Sequence, residues 1–137
     1  MMTSLRARGE ELGITFCERS ILANSRLAIE ASEYARDKGL HSIFSEKIFR
    51  AYFTYGRNIG DLEEVLDVAS ATGLDREEVR RLLKEGVYSA RRLQIAEEAE
   101  RGRIDMVPTF IINDCHRLVG VLSLGEFRDL FARLAQC

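Results

Sequence analysis

Three cysteines and two histidines in 137 residues are too few and too scattered for the work such residues do in groups. Cys17, Cys115 and Cys137 lie far apart, none forms a Cys-x-x-Cys, and His41 and His116 offer no zinc-type ligand spacing. Three free thiols in a reducing compartment is the leading reading, with a Cys17–Cys115 disulfide or an intermolecular bridge through Cys137 as alternatives. No apolar run nears the ~20 residues that span a bilayer. The start, Met1-Met2-Thr3-Ser4-Leu5-Arg6, has no apolar segment of signal-peptide type. A cytoplasmic address is therefore expected. Charge excess is missing as well: the formal net charge is −2, so no basic field favours nucleic acid or anionic lipid as a partner. With one proline and no repeat or low-complexity stretch, nothing marks a linker.

What is present is an ordinary globular balance, 46% hydrophobic and 31% charged, at a length that can bury a core as one domain. Helix signals punctuate the first hundred residues. Asn24-Ser25 precedes Leu27, Ala28, Ala31, Tyr34 and Ala35 at three- and four-residue spacing, and Gly39 ends the run. Ser42 opens a second stripe of Phe44, Ile48, Phe49, Tyr52 and Phe53, stopped by Gly56. Asp61 with Glu64, and Asp75 with Glu78, have capping-box spacing, and Gly73 and Gly86 sit where a left-handed C-cap is wanted. Helices over 61–72 and 75–85 follow, with another from Tyr88 to Arg101. Residues 1–13 read as a frayed helix or a tail. The aromatics Phe44, Phe49, Tyr52, Phe53 and Tyr55 are expected in the core. Arg80-Arg81 and Arg91-Arg92 read as solvated helix faces alternating with Glu rather than as phosphate sites.

The pattern changes at Pro108. Thr109-Phe110-Ile111-Ile112 and Arg117-Leu118-Val119-Gly120-Val121 are β-branched and apolar runs around the turn formers Asn113-Asp114, which predicts a β-hairpin. Ser123 and Glu126 then open a helix whose stripe is Phe127, Leu130, Phe131 and Leu134. The expected class is α+β, mostly helical.

The order helix, Met106-Val107-Pro108-Thr109-Phe110, hairpin, helix resembles the C-terminal part of DsbA-type thioredoxin folds. There it forms a cis-proline loop, the last hairpin and the last helix. Phe49-Arg50-Ala51-Tyr52-Phe53, Asn58-Ile59-Gly60-Asp61 and Ala71-Thr72-Gly73-Leu74-Asp75 look like the helical insertion of the FrnE branch. Relatives of that branch include 2-hydroxychromene-2-carboxylate isomerases and kappa-class glutathione transferases. The resemblance covers roughly Ile14 to Leu134. It implies an incomplete thioredoxin-like fold: one domain over 1–137, with a helical insertion at about 18–102 and the thioredoxin-fold remainder at 103–137.

The family's Cys-x-x-Cys, or the serine of the isomerase and transferase relatives, precedes everything matched here. By resemblance the substrate-binding half-site remains at Met106, Val107, Pro108 and Thr109, where backbone beside a cis proline pairs with an extended peptide or glutathione. No catalytic residue and no cofactor are implied. The family's first strand lies beside the strand after the proline, so Thr109, Phe110, Ile111 and Ile112 should show an open edge. A second copy pairing antiparallel is the favoured cover. The strand-like Ile14-Thr15-Phe16-Cys17 is the alternative. Cys115 beside His116 is a candidate reactive thiol, because an imidazolium lowers a thiol pKa. Neighbouring hairpin residues point apart, so an ordinary turn cysteine is the favoured reading.

Two functions compete. One is a thiol-disulfide oxidoreductase whose redox pair comes from another segment. The other, favoured for these residues alone, is a catalytically incomplete binding module or a dimeric scaffold. A remnant of a transferase or isomerase is a third, weaker reading.

Overall fold

The structure, a computed structural model, describes residues 2–18 and 21–135. In chain order the elements are α1 (Met2–Glu11), α2 (Arg26–Asp37), α3 (His41–Phe49), a π-helical turn (Arg50–Thr54), α4 (Leu62–Thr72), α5 (Arg76–Glu85), α6 (Ser89–Arg101), β1 (Thr109–Ile112), β2 (His116–Val119) and α7 (Leu124–Leu134). The chain divides into two compact units, Met1–Ile95 and Ala96–Cys137.

The first unit holds the core, and the helix punctuation explains its layout. Asp61 and Asp75 have extended backbone and accept first-turn amides from Glu63 and Glu78, while Gly73 and Gly86 close α4 and α5 with φ of 99° and 67°. Only a residue without Cβ adopts such a φ cheaply. The turns so fixed aim Val65, Leu66, Val68, Ala69, Val79, Leu82 and Leu83 at Ala28, Ala31, Tyr34 and Ala35 of α2 and Phe44 and Ile48 of α3. Phe44, Leu66, Val65 and Val79 are fully buried; burying each contributes roughly 1.5–3 kcal/mol.

Three expectations are corrected. The Asp61–Glu64 pair is no capping box: Asp61 accepts from the Glu63 amide, and Glu64 reaches Arg57 instead. Ile14–Cys17 forms no strand. Its backbone lies on the π-helical turn, with Cys17 N–H donating to the Phe53 carbonyl at 2.9 Å and Thr54 Oγ1 to the Thr15 carbonyl at 2.9 Å. Phe16 packs edge-on against Phe53, centroids 6.1 Å apart. A Cβ on Gly9 would lie 2.6 Å from the Ile14 carbonyl and 2.8 Å from the Phe16 ring, so this path needs glycine there.

The third correction concerns the aromatics. Phe44 is buried, but Phe49 and Tyr55 are 60% and 67% exposed, and Tyr52 and Phe53 are half-buried. Phe49 ends α3 five positions after Phe44 and so stands off the buried face, and for Tyr55 the physical cause is the π-helical turn. Tyr55 N–H bonds back five residues to the Arg50 carbonyl, which shifts the side-chain period, so one stripe cannot keep a single face through residue 55.

The second unit is a hairpin and a helix. Thr109, Phe110, Ile111 and Ile112 pair antiparallel with Val119, Leu118, Arg117 and His116. Asn113 and Asp114 both have positive φ, 51° and 56°, and Cys115 N–H closes the turn on the Ile112 carbonyl. Asn and Asp tolerate that region better than other non-glycine residues. Ser123 and Glu126 form a complete capping box at the start of α7.

The α2 carboxylates hold Tyr88 and the first turns of α6. Glu30 accepts from Ser89 Oγ at 3.2 Å and Arg92 Nε at 3.1 Å, and Asp37 from Tyr88 Oη and Arg91, each at 2.8 Å. The Arg91 guanidinium keeps the Asp37 carboxyl below the usual carboxylate range. Arg91 and Arg92 thus pair with α2 carboxylates, and Arg80 and Arg81 pair with Glu63 and Glu85, as basic faces alternating with acidic residues are expected to do.

Candidate functional site

The loop before β1 is held from several sides by residues of its own unit. Arg117 donates through Nη1 to the Gly102 carbonyl at 2.8 Å and through Nη2 to the Arg103 carbonyl, and its guanidinium stands 3.5 Å from Asp105. Thr109 Oγ1 donates to the Met106 carbonyl at 2.6 Å. Gly120 N–H donates to the Pro108 carbonyl at 2.8 Å. The Val107–Pro108 peptide bond is cis. Between these anchors Met106 and Val107 project into solvent, 59% and 87% exposed.

Register assigns the strand residues to faces. Phe110 sits opposite Leu118 on one face and meets Phe127 of α7 edge-on at 5.0 Å, with Phe131 stacked beyond at 6.4 Å. Ile111 and Val119 lie on the other face, half exposed. The sheet has two strands, so among the described residues β1 pairs along one edge and its other edge has no partner strand. Capping sets the local charge at α7, where the Ser123 backbone N–H holds the Glu126 carboxyl below its ordinary range.

The candidate residues Met106, Val107, Pro108 and Thr109 thus form one solvent-facing loop running into the Thr109–Ile112 edge. Cys115 stands apart from it, exposed at the hairpin turn, with Sγ 4.0 Å from the Ile112 carbonyl. Cys17, also a free thiol, is half-buried in the first unit. Cys137 lies outside the described residues. Arg117 was not singled out from sequence. Its only prior signal was a place in the second strand, and its role needs the hairpin register that points it at residues 102–105.

The chain is mostly helical and closes in a loop, a two-stranded antiparallel hairpin and a capped helix, and it matches a DsbA-like thioredoxin fold. The profile of the DSBA-like thioredoxin domain matches residues 1–132, and the chain belongs to that family. The uncharacterized protein YwbO of Bacillus subtilis (strain 168) is 31% identical over 115 residues, covering 82% of this chain and 58% of YwbO. The crystal structure of a probable DsbA oxidoreductase from Streptomyces coelicolor superposes with a TM-score of 0.80 at 22% identity, covering 96% of this chain and 57% of that one. The chain therefore spans under three-fifths of the length of both.

Proposed function

We propose that residues 1–137 act as the substrate-binding half of a DsbA-like thioredoxin fold and have no disulfide chemistry of their own. The observation that carries this reading is the loop at 106–109. It is pinned by Arg117, Thr109 and Gly120 yet exposes Met106 and Val107, and it leads into a β1 edge without a partner strand. An extended chain or glutathione backbone laid beside Val107 meets main-chain groups already held in place. The chemistry of disulfide exchange needs a thiolate and a second cysteine near it, and Cys17, Cys115 and Cys137 supply no Cys-x-x-Cys. The open β1 edge also suits a second copy pairing antiparallel across a two-fold axis.

Three measurements test the proposal. Purified residues 1–137 should reduce insulin no faster than a variant with all three cysteines replaced. Glutathione or a short extended peptide should shift the amide resonances of Met106, Val107 and Thr109 saturably. Light scattering at micromolar concentration should give twice the chain mass. Turnover above the cysteine-free variant overturns the inactive reading, silence around Val107 overturns the groove, and a clean monomer mass overturns the paired edge.

A further inference from the structure

β1 has the make-up of an interior strand and stands at an edge. Gly120 N–H bonds the Pro108 carbonyl, and bonded and unbonded pairs alternate along an antiparallel ladder. Phe110 and Ile112 are therefore the residues bonded to β2, and Thr109 and Ile111 turn their N–H and C=O groups to the outer edge. The side chains are apolar both ways. Phe110 meets Phe127 of α7 on one face, whereas Ile111 and Val119 on the other are 52% and 43% exposed. Arg117, the charged member of that face, is turned to the carbonyls of Gly102 and Arg103. A strand apolar on both sides belongs inside a sheet whose two faces are both covered.

Symmetry decides what can cover this surface. Two copies joined antiparallel through their β1 edges are related by a two-fold axis perpendicular to the sheet. Both then keep α7 on the same side, and both leave Ile111 and Val119 bare. A lone extended peptide fills the edge and has the same shortcoming. A strand followed by a helix covers edge and face together, because α7 occupies one face and the incoming helix has only the other to lie on. The fold has room for it: the Streptomyces structure superposes on 96% of this chain and has more than two-fifths of its own length outside the match.

We propose that a separate polypeptide segment docks here, an apolar strand matching the four residues of β1 followed by an amphipathic helix. The strand bonds to the main chain of Thr109 and Ile111, and the helix lays its aliphatic stripe on Ile111 and Val119. This inference rests on the reading of residues 1–137 as one half of the fold and names the partner of that half. The edge-paired dimer is the form that the segment displaces.

The probe is the part of YwbO outside its match to this chain, made as a separate polypeptide and added to residues 1–137. Light scattering should give a one-to-one complex, hydrogen exchange at Thr109 and Ile111 should slow at least tenfold, and the Ile111 and Val119 methyl resonances should shift. Ile111→Glu, which sets an unpaired carboxylate under the helix, should weaken the complex at least tenfold, while Leu22→Glu in the first unit should leave it unchanged. Joining the segment to the chain through a flexible linker makes the encounter intramolecular and should bury both methyl groups even where the separate piece binds weakly. Slowed exchange with unmoved methyl resonances means that the edge takes a strand without a helix, and it overturns the proposal. So does an Ile111→Glu variant that binds like the parent, an equal loss from Leu22→Glu, or a linked chain whose methyl groups stay exposed. The groove reading stands or falls separately, since glutathione shifts at Val107 are measured without the segment.

Discussion

Glu30 is a carboxylate with no solvent exposure. Its Oε1 takes Ser89, Arg92 and, at 3.6 Å, Arg26. Such a group is tolerated because its charge is met on the spot, and removing a partner costs far more than the pair itself is worth. Arg92→Met should therefore lower stability by about 3 kcal/mol, read as a fall in the urea midpoint. Arg81→Met, which breaks a half-exposed pair with Glu85 on one helix, should change it by under about 0.5 kcal/mol. Similar loss from both would remove burial as the distinction. Leu66 is the apolar counterpart. Fully enclosed in the core of the first unit, it should cost about 3 kcal/mol on truncation to alanine.

Elements are held to one another partly by charge. Arg76 and Arg80 of α5 reach back to Glu63 of α4, and Arg76 also reaches Asp67. The hydrogen bonds from Arg80 and then Arg76 bring the Glu63 carboxyl down to about 2 from 4.5, and Arg76 holds Asp67 below its usual range. A carboxyl with a depressed folded-state pKa stabilises the fold above its unfolded value and loses that contribution as pH falls through the folded one. The α4–α5 tie is thus intact above pH 4.5 and fades toward pH 2. Glu63→Gln should flatten the fall of the urea midpoint over that window and leave the slope above pH 5 unchanged. An equal acid slope in parent and variant would place the acid sensitivity elsewhere. At the same scale, Asp75→Ala removes the acceptor for the Glu78 amide and should cost about 1 kcal/mol.

The two units of the whole molecule differ in what holds them. Among the described residues, the sixteen buried hydrophobic ones lie between Ala28 and Leu83, so the first unit owns the core. In the second, α7 buries no residue, and Phe131, Leu124 and Val121 are 53%, 65% and 70% exposed. A unit resting on a hairpin, one aromatic cluster and a capping box opens at lower free energy than one with an enclosed core. Hydrogen exchange should therefore be faster in β1, β2 and α7 than in α2, α4 and α5. Protection of the β1 amides beyond those of α4 would contradict this ordering. If it rises with protein concentration, it would also mark the edge as covered by a second copy.

Much of this architecture is legible in the amino-acid sequence alone. Asp75, Gly73, Gly86 and the Ser123–Glu126 box marked helix ends within a residue or so, because a cap is a contract between neighbours three or four positions apart. The hairpin was legible for the same reason, since Asn113-Asp114 carries its own turn chemistry. The loop at 106–109 could be located by order alone, but what pins it could not. Arg117 lies 14 and 15 positions from the carbonyls it holds, and only the strand register brings them together.

The amino-acid order by itself thus determined the class, the sequence of elements, the capped ends and the family to which the chain belongs, all properties carried by local periodicity and short-range hydrogen bonds. Tertiary structure decided the rest. It turned the stripe after Phe49 into a π-helical turn and left Phe49 and Tyr55 at the surface. It laid Ile14–Cys17 on that turn instead of in a sheet. The reason is physical: burial and donor direction depend on what stands across the interior, and that is fixed only once distant segments pack.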